Sequence, residues 1–314
     1  MKPRDFFVRS DGGVRAPWRI AFFLGATVAA GSLVTGIVYP VVALTPFIAF
    51  ARHWRIPLDQ LATVLALLIG TYATLRLVDG VRGGGWGRVG LGRAGLRPGR
   101  LAAGLAAGTL AILVPSGILL ATGNFHIERQ PELQSWNAAA RDALILLTPA
   151  ALAEELLMRG YLLSALRDAI RAPGAIAVTS VVFGMLHLLN PGPTILSTAM
   201  VALAGVFLAT VRLTTDSLYA AWVAHLAWNF VQASLLHAPV SGLAVATPGY
   251  RLQDAGPTWL TGGAWGPEGG LAAAAGMLLA SFLLVWLGAR FTTAGSDRPG
   301  DLANTVRSGR RRDT

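Results

Sequence analysis

Six polar or ionisable side chains lie inside apolar, helix-forming segments of this 314-residue sequence. A charge at the centre of a membrane costs about 2.5 to 3.5 kcal/mol on insertion scales, so residues kept there are candidates for function. The six are Glu154, Glu155, Arg159, His187, His225 and Asn229. In one water-accessible pocket, carboxylate, imidazole and amide groups can activate water and stabilise an oxyanion, as hydrolysis requires.

The two adjacent carboxylates cannot do the same work, because neighbouring side chains on a helix point about 100° apart. Glu155 lies four residues before Arg159, which is the favourable order for an ion pair on one helix face. Glu154 has Ala150 and Met158 at that spacing, and so has no partner in its own helix. We therefore expect Glu155 and Arg159 to form a structural pair and Glu154 to serve as the general acid or base.

The histidines come from two later segments. Phe183 and His187 are four residues apart and share one helix face. His225 and Asn229 have the same spacing, on a helix that Asp216 or Ser217 can cap. Costly side chains from three separate helices predict a single polar pocket where those helices meet.

Several hydrolytic chemistries are excluded by residues that the sequence lacks. There is no cysteine, no serine with a glycine two positions before it, and no HExxH zinc motif. Aspartates occur only near the ends of the apolar segments, so a paired aspartyl site has no support.

Two alternatives remain open from the residues alone. In one, Glu154 activates water with the help of His187, and other polar groups of the pocket stabilise the oxyanion. In the other, Glu154, His187 and His225 hold a Zn²⁺ ion that keeps an open position for water.

The pocket residues form three short motifs in a fixed order. EExxxR is formed by Glu154, Glu155 and Arg159, FxxxH by Phe183 and His187, and HxxxN by His225 and Asn229. With these motifs, residues 143–237 resemble the CAAX protease and bacteriocin-processing family, which includes lysostaphin-resistance-like proteins and relatives of the type II CAAX prenyl endopeptidase. One departure is Met158, where relatives usually have Phe, and we expect it to alter packing and not chemistry.

The resemblance implies a membrane endopeptidase with its site inside the bilayer. Catalytic roles carry over to Glu154, Glu155, His187, His225 and Asn229, with Arg159 and Phe183 as structural support. In this scheme Glu154 and His187 activate water, while His225 and Asn229 stabilise the oxyanion. Zn²⁺ is a possible cofactor, but we favour a metal-free glutamate mechanism. The Ala/Gly/Arg-rich composition looks bacterial, so we do not predict CAAX cleavage as the physiological task.

Composition identifies the elements that must position these residues. The chain is 54% hydrophobic and only 13% charged, whereas soluble domains carry about 25% charged residues. Because a helix needs about 20 apolar residues to cross the hydrocarbon core, we expect an all-α membrane protein with about eight spans. The expected spans are 20–39, 58–78, 101–121, 143–163, 174–189, 194–213, 217–237 and 270–290. Gly104 and Gly108 form a GxxxG pattern, which predicts close helix packing.

The net charge of +10 reports orientation. With the N-terminus inside, 17 Lys and Arg residues fall in cytoplasmic segments and 5 in outer ones. This bias follows the positive-inside rule, places both termini in the cytoplasm, and gives no support to a nucleic-acid partner. We expect an integral protein of a bacterial plasma membrane whose partners are the bilayer and a membrane-associated peptide or protein substrate.

We expect three regions along the chain. Residues 1–142 hold N-terminal spans and a basic cytoplasmic loop, 143–237 the peptidase-like core, and 238–314 an outer loop, the last span and a basic tail. Two other functions stay open. The chain can be a non-catalytic scaffold or an immunity or maturation factor of the same fold, or a small transporter, although no inverted repeat with two broken helices is visible.

Overall fold

The computed structural model describes residues 7–8, 12–80, 85–132, 135–244 and 248–296, so the predicted basic tail lies mostly outside the described residues. The protein is mostly helical, at 78%. The α-helices and strands are α1 (Ala16–Leu33), α2 (Tyr39–Ala43), α3 (Phe47–His53), α4 (Leu58–Leu77), α5 (Gly85–Arg88), α6 (Pro98–Ala121), β1 (Phe125–Glu132), α7 (Trp136–Glu155), α8 (Leu163–Leu186), α9 (Ile195–Thr214), α10 (Leu218–Phe230), β2 (Pro248–Asp254), α11 (Thr258–Thr261) and α12 (Leu271–Ser296). π-Helical segments are Val34–Val38, Leu156–Leu162 and Val231–Leu236, and short 3₁₀ turns are Arg93–Leu96, His187–Leu189, Gly263–Trp265 and Pro267–Gly269.

Among the described residues, six helical runs are long and apolar enough to cross a membrane. They are Ala16–Ala43, Leu58–Leu77, Pro98–Ala121, Trp136–Leu189, Ile195–Thr214 and Leu271–Gly288. The 54-residue run contains the fourth and fifth predicted spans, and its backbone leaves helical geometry at Ile170 and Arg171. The seventh predicted span, around α10, is not among the six. A helical membrane protein is therefore supported, while the count of eight spans and the orientation of the termini stay predictions.

The expectation of purely helical structure is wrong in one place. Strands β1 and β2 pair antiparallel, with Phe125 opposite Asp254 and Arg129 opposite Tyr250. Both strands lie in segments that we assigned to loops outside the spans. Lipid forbids an open sheet edge only within the hydrocarbon region, so the argument for helices does not apply to these loops.

The helix that carries His225 is held by close packing against α6. A side chain at Gly104 would collide with the carbonyl oxygen of Ala220, and one at Gly108 with that of Ala224. The GxxxG pattern thus lets α6 approach the α10 backbone, as predicted. Of the two residues predicted to cap α10, Asp216 and Ser217, it is Ser217 that does so, because its Oγ accepts a hydrogen bond from the Ala220 amide.

Candidate active site

Glu154 lies between the two histidines. It stands near the end of α7, whereas His187 follows α8 and His225 lies within α10. Glu154 Oε2 is 4.0 Å from His187 Nε2 and 3.8 Å from His225 Nε2. This oxygen is buried and accepts no hydrogen bond from the described residues. Both distances are too long for direct hydrogen bonds, so a space bounded by three polar atoms separates the side chains.

Each histidine ring is oriented through its other nitrogen. His187 Nδ1 is 2.8 Å from the Phe183 carbonyl oxygen, which can only accept a hydrogen bond. His225 Nδ1 is 3.0 Å from Glu155 Oε1. In the neutral rings, therefore, Nδ1 carries the proton and the Nε2 lone pair points towards Glu154.

Glu155 fixes His225 and Arg159 at the same time. Its Oε1 atom is 3.0 Å from Arg159 Nη1, and both side chains of this i,i+4 pair are fully buried. Arg159 also donates to the Gly205 carbonyl oxygen at 3.3 Å and stacks over the Phe183 ring, with its guanidinium carbon 4.3 Å from the centroid. The predicted pair thus ties α7 to α8, α9 and α10.

The helix that carries the two carboxylates changes geometry directly after them. Residues Leu156–Leu162 form a π-helical segment, and Gly160 leaves helical geometry within it. Such segments are frequent at functional sites, because the extra residue in the turn redirects the side chains that follow. Nothing in the hydrophobic pattern signalled this segment.

Asn229 belongs to the same site, one turn after His225 on α10. It is 9% exposed and lines a cleft of about 310 Å³ together with Glu154, His187 and His225. The rest of the wall is largely apolar and includes Leu146, Leu147, Ala150, Leu157, Met158, Phe183 and Leu186. Its polar exceptions are Gln60, Asn190 and Ser241. The cleft is large enough for side chains of a peptide, and the predicted catalytic residues share it.

One buried carboxylate beside the cleft was missed by the sequence analysis. Glu268 Oε2 accepts hydrogen bonds at 2.8 Å from Trp228 Nε1 and from Gln232 Nε2 on the helical stretch that follows His225. Its Oε1 atom accepts two more at 2.6 Å, from the amide and hydroxyl of Ser241. Gln232, a polar residue within the seventh predicted span, was the available signal.

The Ser241 contacts hold a tight turn that forms part of the cleft wall. Val240 and Leu243 exchange two backbone hydrogen bonds of 3.0 and 2.9 Å, and both line the cleft. Ser241 and Gly242 have φ values of 49° and 78°, so the turn requires left-handed backbone at both central positions. Asn190 Nδ2 donates to the Ser241 carbonyl oxygen at 3.0 Å. Glu268 and Asn190 therefore fix the turn from two sides.

The zinc alternative finds no geometric support. In a tetrahedral site with bonds of about 2.0 to 2.1 Å, ligand atoms are about 3.3 Å apart. The distances from Glu154 Oε2 to the two Nε2 atoms are 4.0 and 3.8 Å. No group of three or more His, Cys, Asp or Glu in the described part of the chain is arranged to hold a metal ion. We derive no chemical step through a metal.

Fold and site together define a helical membrane protein with a buried carboxylate–histidine cluster, and the comparison with known families is consistent with this class. Residues 136–231 match the family model described as Type II CAAX prenyl endopeptidase Rce1-like, so this segment is a domain of that protease family. The match confirms the resemblance inferred from the three motifs and supports a peptidase. No curated protein and no solved structure matches the chain.

Proposed function

We propose that the protein is an intramembrane endopeptidase that hydrolyses a peptide bond of a membrane-associated peptide or protein. The observation that carries the proposal is the space between Glu154 Oε2 and His187 Nε2, which are 4.0 Å apart. Both atoms are acceptors when Glu154 is ionised and His187 is neutral. A water molecule between them can donate one hydrogen to each, which holds it in place for attack.

The reaction follows from these positions. The water oxygen attacks the scissile carbonyl carbon while its proton passes to Glu154. With both ring nitrogens protonated, His225 can donate one hydrogen bond to Glu155 and one, from Nε2, to the oxyanion. The Asn229 amide is the second oxyanion donor. When the tetrahedral intermediate collapses, the C–N bond breaks and Glu154 returns the proton to the leaving amine.

Glu155, Arg159 and Phe183 support this chemistry without contacting the reacting atoms. Glu155 orients the His225 ring through the 3.0 Å contact with Nδ1. Arg159 partly balances the charge of Glu155, and the Phe183 carbonyl oxygen orients His187. This arrangement resembles hydrolases in which a third group sets the ring orientation of a catalytic histidine.

The test is hydrolysis of a fluorogenic peptide tethered to a membrane anchor, with the purified protein in detergent or liposomes. Glu154→Gln should abolish cleavage. Glu128→Gln is the matched control, because Glu128 has a side chain 45% exposed, against 40% for Glu154, and lies in β1 in an ion pair with Arg251. Full activity of Glu154→Gln would show that the base is assigned wrongly. If the wild type cleaves no tethered peptide, and the variant keeps full function in cells, the protein is a non-catalytic scaffold.

Whether the reaction requires a metal has its own measurement. Metal content should be determined per chain after purification without a histidine tag, together with activity after dialysis against a chelator. We expect unchanged activity and no stoichiometric zinc. About one zinc per chain, lost in His225→Ala, would replace the glutamate mechanism with a metal-dependent one.

A further inference from the structure

The two ends of the helix bundle differ in what holds them together. At one end, which we call the arginine-rich end, Asp79 and Asp168 bind both Arg19 and Arg88, with Arg19 Nε 2.9 Å from Asp79 Oδ1. We call these four residues, with Tyr161, the arginine–aspartate cluster. Two further hydrogen bonds at this end join the start of α10 to the start of α6 and the turn before it. Ser217 Oγ donates to the Gly95 carbonyl oxygen at 2.7 Å, and Arg100 Nη1 donates to the Asp216 carbonyl oxygen at 2.9 Å.

The opposite end, which we call the sheet end, is built from β1, β2 and the connections around them. Trp136 Nε1 donates to the Ser234 carbonyl oxygen at 2.9 Å, and Tyr250 donates to that of Leu235 at 2.8 Å. These contacts place the start of α7, the end of the α10 stretch and strand β2 side by side. The Glu268-bound turn lies at this end too.

The cleft opens at the sheet end. Three residues of this end line the cleft. Gln60 is near the start of α4, Asn190 follows the turn after α8, and Leu243 belongs to the turn bound by Glu268. Between Glu154 and the arginine-rich end, packed side chains close the bundle. Leu156 is 1% exposed, and Arg159 and Tyr161 are fully buried. The described cleft lining includes no residue of the arginine-rich end.

Basic residues are divided unequally between the two ends. The segments that meet at the arginine-rich end, or continue from it in the sequence, hold 17 of the 26 Lys and Arg residues, and those at the sheet end hold 5. Short connections rich in Lys and Arg stay on the cytoplasmic side of a membrane. This rule predicts that the arginine-rich end is the cytoplasmic one.

We infer that the cleft opens to the extracytoplasmic side, and that the substrate is an apolar peptide segment presented at the outer boundary of the membrane. The part of this inference that concerns a substrate rests on the proposed function. The orientation of the cleft is independent of it. Apart from Glu154 and the histidines, the lining is uncharged, so a charged cytosolic tail finds no complementary partner there. Leu188, Leu189 and Ile195, which follow His187 in the sequence, are exposed apolar residues.

The chain offers a clean test of orientation, because it contains no cysteine. Single cysteines can be placed at Ile127 in β1 and at Leu96 at the arginine-rich end, whose exposures are 54% and 49%. A membrane-impermeant maleimide should label Ile127→Cys in intact bacterial cells and Leu96→Cys only after permeabilisation. A third variant, Leu243→Cys, reports the mouth of the cleft and should behave like Ile127→Cys. The reverse pattern, or equal labelling of Ile127→Cys and Leu96→Cys in intact cells, would overturn the inference.

The side of cleavage is tested with two reporters that carry the same peptide on opposite sides of one transmembrane anchor. We expect cleavage of the extracytoplasmic reporter at least about tenfold faster, and none by Glu154→Gln. Preferential cleavage of the cytoplasmic reporter would overturn the inference while leaving peptidase activity intact. If neither reporter is cleaved and the labelling pattern holds, the orientation stands and the proposed function fails.

Discussion

Two ionic clusters in the described part of the chain differ in how completely their charges are paired. In the arginine–aspartate cluster, two carboxylates face two guanidinium groups, and the Tyr161 hydroxyl is 3.1 Å from both Asp79 oxygens. In the cleft, two carboxylates face one guanidinium group and two imidazoles. Glu154 Oε2 and Glu155 Oε2 accept no hydrogen bond from the described residues.

The difference shows what each cluster can do. A paired cluster gains hydrogen bonds that offset the cost of burying charge, and it leaves no group free to react. An incompletely paired cluster keeps a carboxylate whose lone pairs are available to a water molecule. Similar residue types thus serve cohesion at the arginine-rich end and, in our proposal, catalysis in the cleft.

Replacing Glu154, whose Oε2 atom accepts no hydrogen bond from the described residues, should give the largest effect, and the effect should be on activity alone. Glu154→Gln should lower kcat/KM by about 10² to 10⁴-fold, the usual contribution of a general acid–base. Its thermal unfolding should stay at the wild-type temperature, because Glu154 Oε2 accepts no hydrogen bond from the described residues. Activity and unfolding should be measured on the same detergent preparation. If the loss of activity only matched a loss of folded protein, Glu154 would have a structural role and not the catalytic one that we propose.

Breaking the buried pair should cost stability and activity together. Arg159→Met leaves Glu155 charged and fully buried beside His225, and removing one partner of such a pair costs about 3 to 5 kcal/mol. Unfolding in denaturant should show this loss. The double variant Glu155→Gln, Arg159→Met should recover much of the stability but not the activity, because His225 loses its carboxylate partner. Recovery of both would mean that Glu155 has no role beyond pairing with Arg159.

The paired cluster should show the opposite behaviour. Asp79→Asn removes the 2.9 Å contact with Arg19 Nε and the 3.2 Å contact with Arg88 Nη1, at a side chain only 3% exposed. By the same rule we expect destabilisation of about 3 kcal/mol, with kcat/KM per folded molecule unchanged. Asp59→Asn, an exposed change at the start of α4, is the control. A large drop in kcat/KM for folded Asp79→Asn would show that the two clusters are coupled.

The same contrast explains which features were predictable from the sequence. The i,i+4 spacing identified the Glu155–Arg159 pair, because helix geometry alone brings such residues together. The cap of α10 and the close packing at Gly104 and Gly108 were predictable for the same local reason. The convergence of Glu154, His187 and His225 on one cleft was inferred only from their cost inside a membrane.

Other features depend on tertiary contacts that local patterns do not encode. Asp79 and Arg88 were assigned to a basic cytoplasmic loop. In the structure Arg88 contacts Asp168, 80 positions away, and Asp79 contacts Arg19, 60 positions away. The strands β1 and β2 pair across more than 100 residues. Glu268 lies in a segment assigned to an outer loop, and its four hydrogen-bond donors come from two other segments of the chain. Only the folded chain shows that it is buried.

The smallest predicted effect concerns Glu268, a third and fully satisfied carboxylate at the edge of the cleft. Glu268→Gln places an amide donor among four donors, from Trp228, Gln232 and Ser241, so at least one hydrogen bond is lost, at about 1 to 3 kcal/mol. Because Ser241 lies in the turn that forms the cleft wall, we expect KM to rise several-fold while kcat changes little. Glu268→Asp keeps the charge and should recover part of the affinity. A fall in kcat with unchanged KM would instead show that Glu268 acts on His225 and Asn229 through the helical stretch that carries Trp228 and Gln232.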